Sequence, residues 1–161
     1  MTATMLEFDA MQTAARLGAA VLFGGVIGLN RDIHGKPAGL RTHAIVALGA
    51  AMVTLTSLLL VAGADVGAVT RTIQGIVTGV GFIGAGVILH RSDSMGVQGL
   101  TTAATIWVVA ALGIACGAGQ FALAAIATGL MLVVLVVGGP IERALHRLLK
   151  GPQGPGASDG E

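Results

Sequence analysis

Cysteine is almost missing from this chain. Its single copy, Cys116, excludes an intrachain disulfide framework and a zinc site built on cysteines. Charge is scarce as well: 11% of the 161 residues are charged, against about a quarter in soluble domains. The basic residues stand singly and the net charge is +1, so no basic stripe exists for nucleic acid. There is no glycine-rich phosphate loop ending in Lys-Ser or Lys-Thr, which excludes ATP hydrolysis by this chain alone. No nucleophile–base pair stands out, so neither enzymatic activity nor a cofactor is expected. The leader carries Glu7 and Asp9 where a secretory signal would be positive, and it is not read as one.

What fills the chain instead is apolar. Hydrophobic residues make up 54%, mean hydropathy is +0.87, and there are 26 glycines. Glycine is more frequent in membrane helices than in soluble ones. Five apolar runs occur, at about 10–29, 43–62, 73–89, 100–116 and 121–139. A span needs about 17–25 residues, so each is a candidate. The expected fold is all-α: a polytopic bundle of about five transmembrane helices.

Two stretches of this chain are the same pattern written twice. Residues 24–51 read GGVIGLNRDIHGKPAGLRTHAIVALGAA, and 84–111 read GAGVILHRSDSMGVQGLTTAATIWVVAA. Laid over each other without a gap, they match at nine positions, among them Gly24/Gly84, Arg31/Arg91, Gly39/Gly99, Leu40/Leu100 and Thr42/Thr102. Each copy is an apolar segment, a polar loop with Arg, then Gly-Leu-x-Thr opening the next apolar segment. Equivalent loops imply equal orientation, hence two parallel helical hairpins with the fifth span outside them.

Loop charges orient the bundle. The first loop holds Arg31, Lys36 and Arg41 against Asp32, and Arg143, Arg147 and Lys150 follow Pro140. Lys and Arg favour the cytoplasmic side. Five spans put the first loop, the 90–99 loop and the C-terminus on one side, so the N-terminus is expected outside and the C-terminus in the cytoplasm. Residues 1–140 then form the membrane domain. Residues 141–161 form a basic juxtamembrane helix, with Ile141, Leu145, Leu148 and Leu149 as its apolar side, and a disordered tail.

Polar residues mark candidate sites. Gly39-Leu40-Arg41-Thr42 and Gly99-Leu100-Thr101-Thr102 sit where chains re-enter the membrane, and their Thr hydroxyls suit helix capping or, with the helix N-termini, an anionic headgroup. The repeat sets Arg31 with Arg91 and Thr42 with Thr102 at matched depth. A polar cytoplasmic cluster of Asn30, Arg31, Asp32, Arg41, Thr42, Arg91, Thr101 and Thr102 is expected, with Arg31 bonded to Asp32 or to the other hairpin's backbone. Arg16 lies near the outer end of the first span, and either snorkels or pairs with Asp9 or Asp65. Trp107 is expected between helices.

Glycines mark close packing. Gly24 and Gly28, Gly75 and Gly79, and Gly113 and Gly117 are spaced by three residues. The third span also carries Gly81, Gly84 and Gly86. These glycines suit intrachain packing, a homo-oligomer seam or an irregular, ion-lining helix. All eight acidic residues, Glu7, Asp9, Asp32, Asp65, Asp93, Glu142, Asp159 and Glu161, lie at span ends or in loops. Mg²⁺ takes oxygen ligands and sheds water reluctantly, so a dehydrating mid-membrane carboxylate site is not expected; the metal ligands, if any, stay unassigned. His34, His43 and His90 are too scattered for a metal site.

The blocks KPAGLRTH, GFIGAG and GLTTAA, in that order and spread over about residues 15–140, resemble the membrane domain of the MgtC/SapB family. The resemblance implies a bacterial inner-membrane protein linked to magnesium homeostasis and, in some pathogens, to survival inside host cells. Members are often labelled magnesium transporters. The virulence member is regarded as a regulator acting on other membrane proteins, including the ATP synthase. This sequence departs from the family at Asn30, where an acidic residue usually precedes the arginine. Many members carry a soluble C-terminal domain, which the Pro/Gly-rich GPQGPGASDGE is too short to form. Two readings follow: a regulator bound to lipids and a membrane-protein partner, or a Mg²⁺ channel or carrier with Asn30, Arg31, Asp32, Thr42, Thr101 and Thr102 at its mouth.

Overall fold

A computed structural model of the chain describes residues 9–61, 65–89 and 98–149. Five helices account for nearly all of them: α1 (Ala10–Ile33), α2 (Leu40–Val61), α3 (Val66–Leu89), α4 (Leu100–Gly117) and α5 (Phe121–Leu149). Each is long and apolar enough to cross a membrane, so the molecule is a multi-pass helical bundle.

The helices overrun the apolar runs. α1 continues through Asn30, Arg31 and Asp32, and α3 starts at Val66, taking in Thr70, Arg71 and Thr72. Hydropathy marks where lipid begins, whereas a helix persists until its backbone hydrogen bonds are ended by a turn. α5 likewise runs past Pro140 to Leu149, although proline removes one backbone donor.

Close contacts fix the helix directions. A side chain at Gly24 would strike His43 and Ala47, and one at Gly28 would strike Gly39 and Leu40, so α1 and α2 are antiparallel. In the second copy Gly84 faces Ala103, and a side chain at Gly99 would strike the Val87 carbonyl. These contacts are the repeat equivalents, or near equivalents, of the first set. Between hairpins, Gly113 is seated on Ala47 and Gly117 on Ala51, while His43 meets Thr105. Position numbers rise together on α2 and α4, so these helices, and the hairpins they belong to, run parallel. α2 and α4 form the centre, α1 and α3 flank them, and α5 packs outside against α1 and α4.

The centre is filled. Ala20, Ile27, Ala47, Ala51, Val109, Leu112, Cys116 and Ala124 form one buried cluster, and Ala50, Val80, Ile106 and Ala110 form a second. Between membrane helices such contacts act through packing, because lipid tails are as apolar as the side chains they replace. Trp107 departs from expectation. It is 47% exposed, because the inward positions of α4 around it are taken by Ile106, Val109 and Ala110.

Two expectations about glycine divide. Gly24 and Gly28 do make close helix contacts, and Gly84 is buried at Ala103. Gly75, Gly79, Gly81 and Gly86 do not: a Cβ at any of them would meet nothing within 4 Å among the described residues. α3 packs on α4 and α2 through its opposite side, where Val80 and Gly84 lie.

Candidate functional site

The polar cluster lies at the end of the bundle where both hairpins re-enter. It is built from α1, α2 and α4. Arg31 stands in the last turn of α1, where a cation complements the negative end of the helix dipole. Its side chain turns inward and is only 6% exposed. Nη2 donates to Oγ1 of Thr102 across 2.7 Å, bridging the two hairpins. Nε is buried and has no hydrogen-bond acceptor among the described residues.

Asp32 does something different from what adjacency to Arg31 suggests. One residue on is about 100° round a helix, so the two side chains diverge. Asp32 reaches over the loop, and one carboxylate oxygen accepts from the Leu40 N–H at 2.8 Å. It thereby caps the first turn of α2, satisfying a donor that has no intrahelical partner. Gly39 is required for this, because a Cβ there would overlap the Asp32 carboxylate. The expected Arg31–Asp32 bond is thus replaced by two separate ones, and Arg31 bonds a side chain of the other hairpin rather than its backbone.

The loop is held by its own backbone. The N–H groups of His34, Gly35 and Lys36 donate to the carbonyls of Asn30, Asp32 and Arg31. Gly35 has φ +59°, and Ala38, after Pro37, has φ +58°. The left-handed conformation is uncommon for a non-glycine residue. Asn30 contributes its main-chain carbonyl, which also accepts from His34 Nδ1.

His43 is the principal residue that motif reading missed. It is fully buried between α1, α2 and α4. Nδ1 lies 3.0 Å from the Gly39 carbonyl, which can only accept, so Nδ1 carries a proton. Nε2 lies 3.1 Å from Thr105 Oγ1, and that hydroxyl lies 2.8 Å from the Thr102 carbonyl. Arg31–Thr102 and His43–Thr105 are thus two contacts that each join the first hairpin to α4, and the single Thr105 hydroxyl proton serves either Nε2 or the Thr102 carbonyl. The available signal was the spacing of Thr102 and Thr105, three residues apart on one helix face.

Other expected members stay outside these contacts. Arg41 and Thr101 are exposed, and Thr42 is half-buried. Arg91 lies outside the described residues, as do His90, Asp93 and Lys150. At the far end of the bundle, Arg16 Nη1 donates to the Gly117 carbonyl at 2.7 Å. It thus caps the last turn of α4, a favourable place for a cation. No group of three or more His, Cys, Asp or Glu suited to a metal ion occurs among the described residues.

The MgtC family model matches residues 17–144. Protein SrpB of Synechococcus elongatus is 44% identical over 136 residues, covering 79% of this chain and 75% of that protein. Protein MgtC of Brucella abortus is 42% identical over 134 residues, covering 83% of this chain and 54% of that protein. Protein MgtC of Salmonella typhimurium is 45% identical over 114 residues, covering 71% and 47%. The chain therefore spans about half the length of these MgtC proteins and three-quarters of SrpB. No solved structure matches.

Proposed function

We propose, from the premise that this chain belongs to the MgtC family, that it is a bacterial inner-membrane regulator in magnesium homeostasis or stress and virulence adaptation, acting by contact with another membrane protein. Residues 1–140 are its membrane domain, and 141–161 are a basic juxtamembrane segment and tail. Lipid surrounds the bundle, and Mg²⁺ enters as the quantity regulated. The cytoplasmic end, with Arg31, Asp32 and His43 inside and Arg41 and Thr101 on its surface, is the recognition face.

The observation that carries this reading is the filled centre. The helices that would line a conduit, α1, α2 and α4, close to backbone contact at Gly24, Gly113 and Gly117. Ile27, Ala47, Ile106 and Val109 occupy the space between them with no exposure. Arg31 Nη2, Asp32 and His43 at the cytoplasmic end are spent on Thr102, on the start of α2 and on Thr105. A carrier or channel for Mg²⁺ is the second reading. It is favoured by the transporter label that members of the family often carry and by the glycine-rich α3, and it would need this packing to open.

The recognition face is tested by growth in low magnesium. Arg41 and Thr101 are exposed, so Arg41→Glu and Thr101→Arg should leave the amount of folded protein unchanged and abolish growth support. Full growth with both variants would overturn the recognition face.

Orientation is tested separately. Cysteines placed singly at Arg147 and Val66, both exposed, should react with an impermeant maleimide from opposite sides, Arg147 from the cytoplasm. Reaction from the same side, or Arg147 from outside, would refute the topology.

A further inference from the structure

The two hairpins start their second helices differently. In the first, Asp32 accepts from the Leu40 N–H and caps α2. The repeat sets Leu100 at the position of Leu40, Ser92 at that of Asp32 and Asp93 at that of Ile33, so the second copy has no carboxylate in register. α4 follows Gly99, which has no side chain to cap it. Of the N–H groups in this turn, that of Ala103 donates to the Gly99 carbonyl. Those of Leu100 and Thr101 have no acceptor among the described residues. They form the positive end of an 18-residue helix.

Arg31 meets the same turn. Its Nη2 donates to Thr102 Oγ1, and its Nε has no acceptor among the described residues although the side chain is only 6% exposed. A guanidinium grips an oxyanion with two parallel N–H bonds, and Nε with Nη2 forms one such edge. A buried cation with an idle donor and no ion-pair partner is costly; an oxyanion at this edge relieves both defects. The surroundings select its kind. Arg31, Lys36 and Arg41 stand here against Asp32, which is already spent on α2. Leu29, Ile33, Leu40 and Leu100 are exposed around them, so this end lies where acyl chains give way to headgroups.

We propose that a phosphate group seats between Arg31 and the first turn of α4. One oxygen accepts from Arg31 Nε and another from the N–H groups of Leu100 and Thr101, as anions do at helix N-termini. Thr101 is exposed, so the turn is open to such a group. An anionic phospholipid headgroup and inorganic phosphate offer the same chemistry, and basic pockets between spans on the cytoplasmic side are known to hold anionic headgroups. The inference stands apart from the regulator reading, because a phosphate seats here in a regulator and in a carrier alike.

The experiment is a thermal melt of the full chain, delipidated in a maltoside detergent, which contains no phosphate. Phosphatidylglycerol or sodium phosphate is added, with sodium chloride of equal ionic strength as the reference. The unaltered chain should melt about 2–4 °C higher with one of the two additives. A rise with the lipid alone assigns the site to headgroups, and a rise with sodium phosphate assigns it to the free ion. In Arg31→Met the rise should vanish. In Arg31→Lys, which keeps the charge but not the two-bond edge, it should shrink. Arg71→Gln removes an exposed arginine at the other end of the bundle and should leave the rise whole. No rise with either additive would overturn the proposal, as would a full rise in Arg31→Met or Arg31→Lys.

Discussion

Gly113→Leu should leave almost no folded protein in the membrane. A Cβ at Gly113 would overlap the Ala47 carbonyl and press on the Ala50 side chain. The first of these is backbone in mid-helix, so it cannot rotate away as a flexible side chain would. Overpacking typically costs about 1–3 kcal/mol, and a main-chain obstruction belongs at or beyond the top of that range. The interface concerned joins α2 to α4, the pair at the centre of the bundle, so the loss reaches both hairpins. The same substitution at Gly79 should leave the monomer intact. The measurement is the folded fraction after detergent extraction, followed by size-exclusion chromatography. Equal recovery of the Gly113→Leu and Gly79→Leu proteins would show that α2 and α4 do not pack as described.

Arg31→Met should separate stability from function. Arg31 is buried, and the one ion pair among the described residues is the exposed one between Arg71 and Asp65. A buried guanidinium without an ion-pair partner carries a desolvation cost of several kcal/mol that an apolar side chain of similar volume does not. Against this stands the loss of one charge-assisted hydrogen bond to Thr102, about 1.5–3 kcal/mol. The two nearly cancel, and folded yield and melting temperature in detergent should change little. Arg31→Ala should do worse than Met, because it adds a cavity to the same losses. Growth at low magnesium should fail with both variants if the cluster serves recognition. Growth that tracks stability across the two variants would make Arg31 a clamp between hairpins and nothing more.

The repeat carried most of the architecture. Matched Gly-Leu-x-Thr segments imply parallel hairpins, and the seating of Gly113 and Gly117 on α2 bears this out. Helix ends were less legible. α3 begins well before its apolar run, since helicity depends on backbone bonds and hydropathy on the solvent. Three identical glycine spacings look alike on paper, yet two are filled by α2 and one is open. Spacing reports that a trough exists, not what lies in it. Comparing matched positions pointed to Thr42 beside Thr102, but the bonds formed join unlike positions. Arg31 meets Thr102, and His43 meets Thr105. The repeat aligns His43 with Ala103, so a search for shared residues passes over the imidazole that bonds Thr105. Asp32 was expected beside Arg31, and helix geometry sends it to Leu40 instead.

The central claim is that this bundle acts by contact and not by conduction. The most direct test is Mg²⁺ entry into liposomes containing only the purified protein, followed with a trapped fluorescent indicator under an imposed gradient and membrane potential. The account predicts entry no faster than into protein-free liposomes, at any protein density. Entry that rises with the amount of protein, and falls in the Arg31→Met variant, would contradict it and establish the cytoplasmic cluster as the mouth of a conduit.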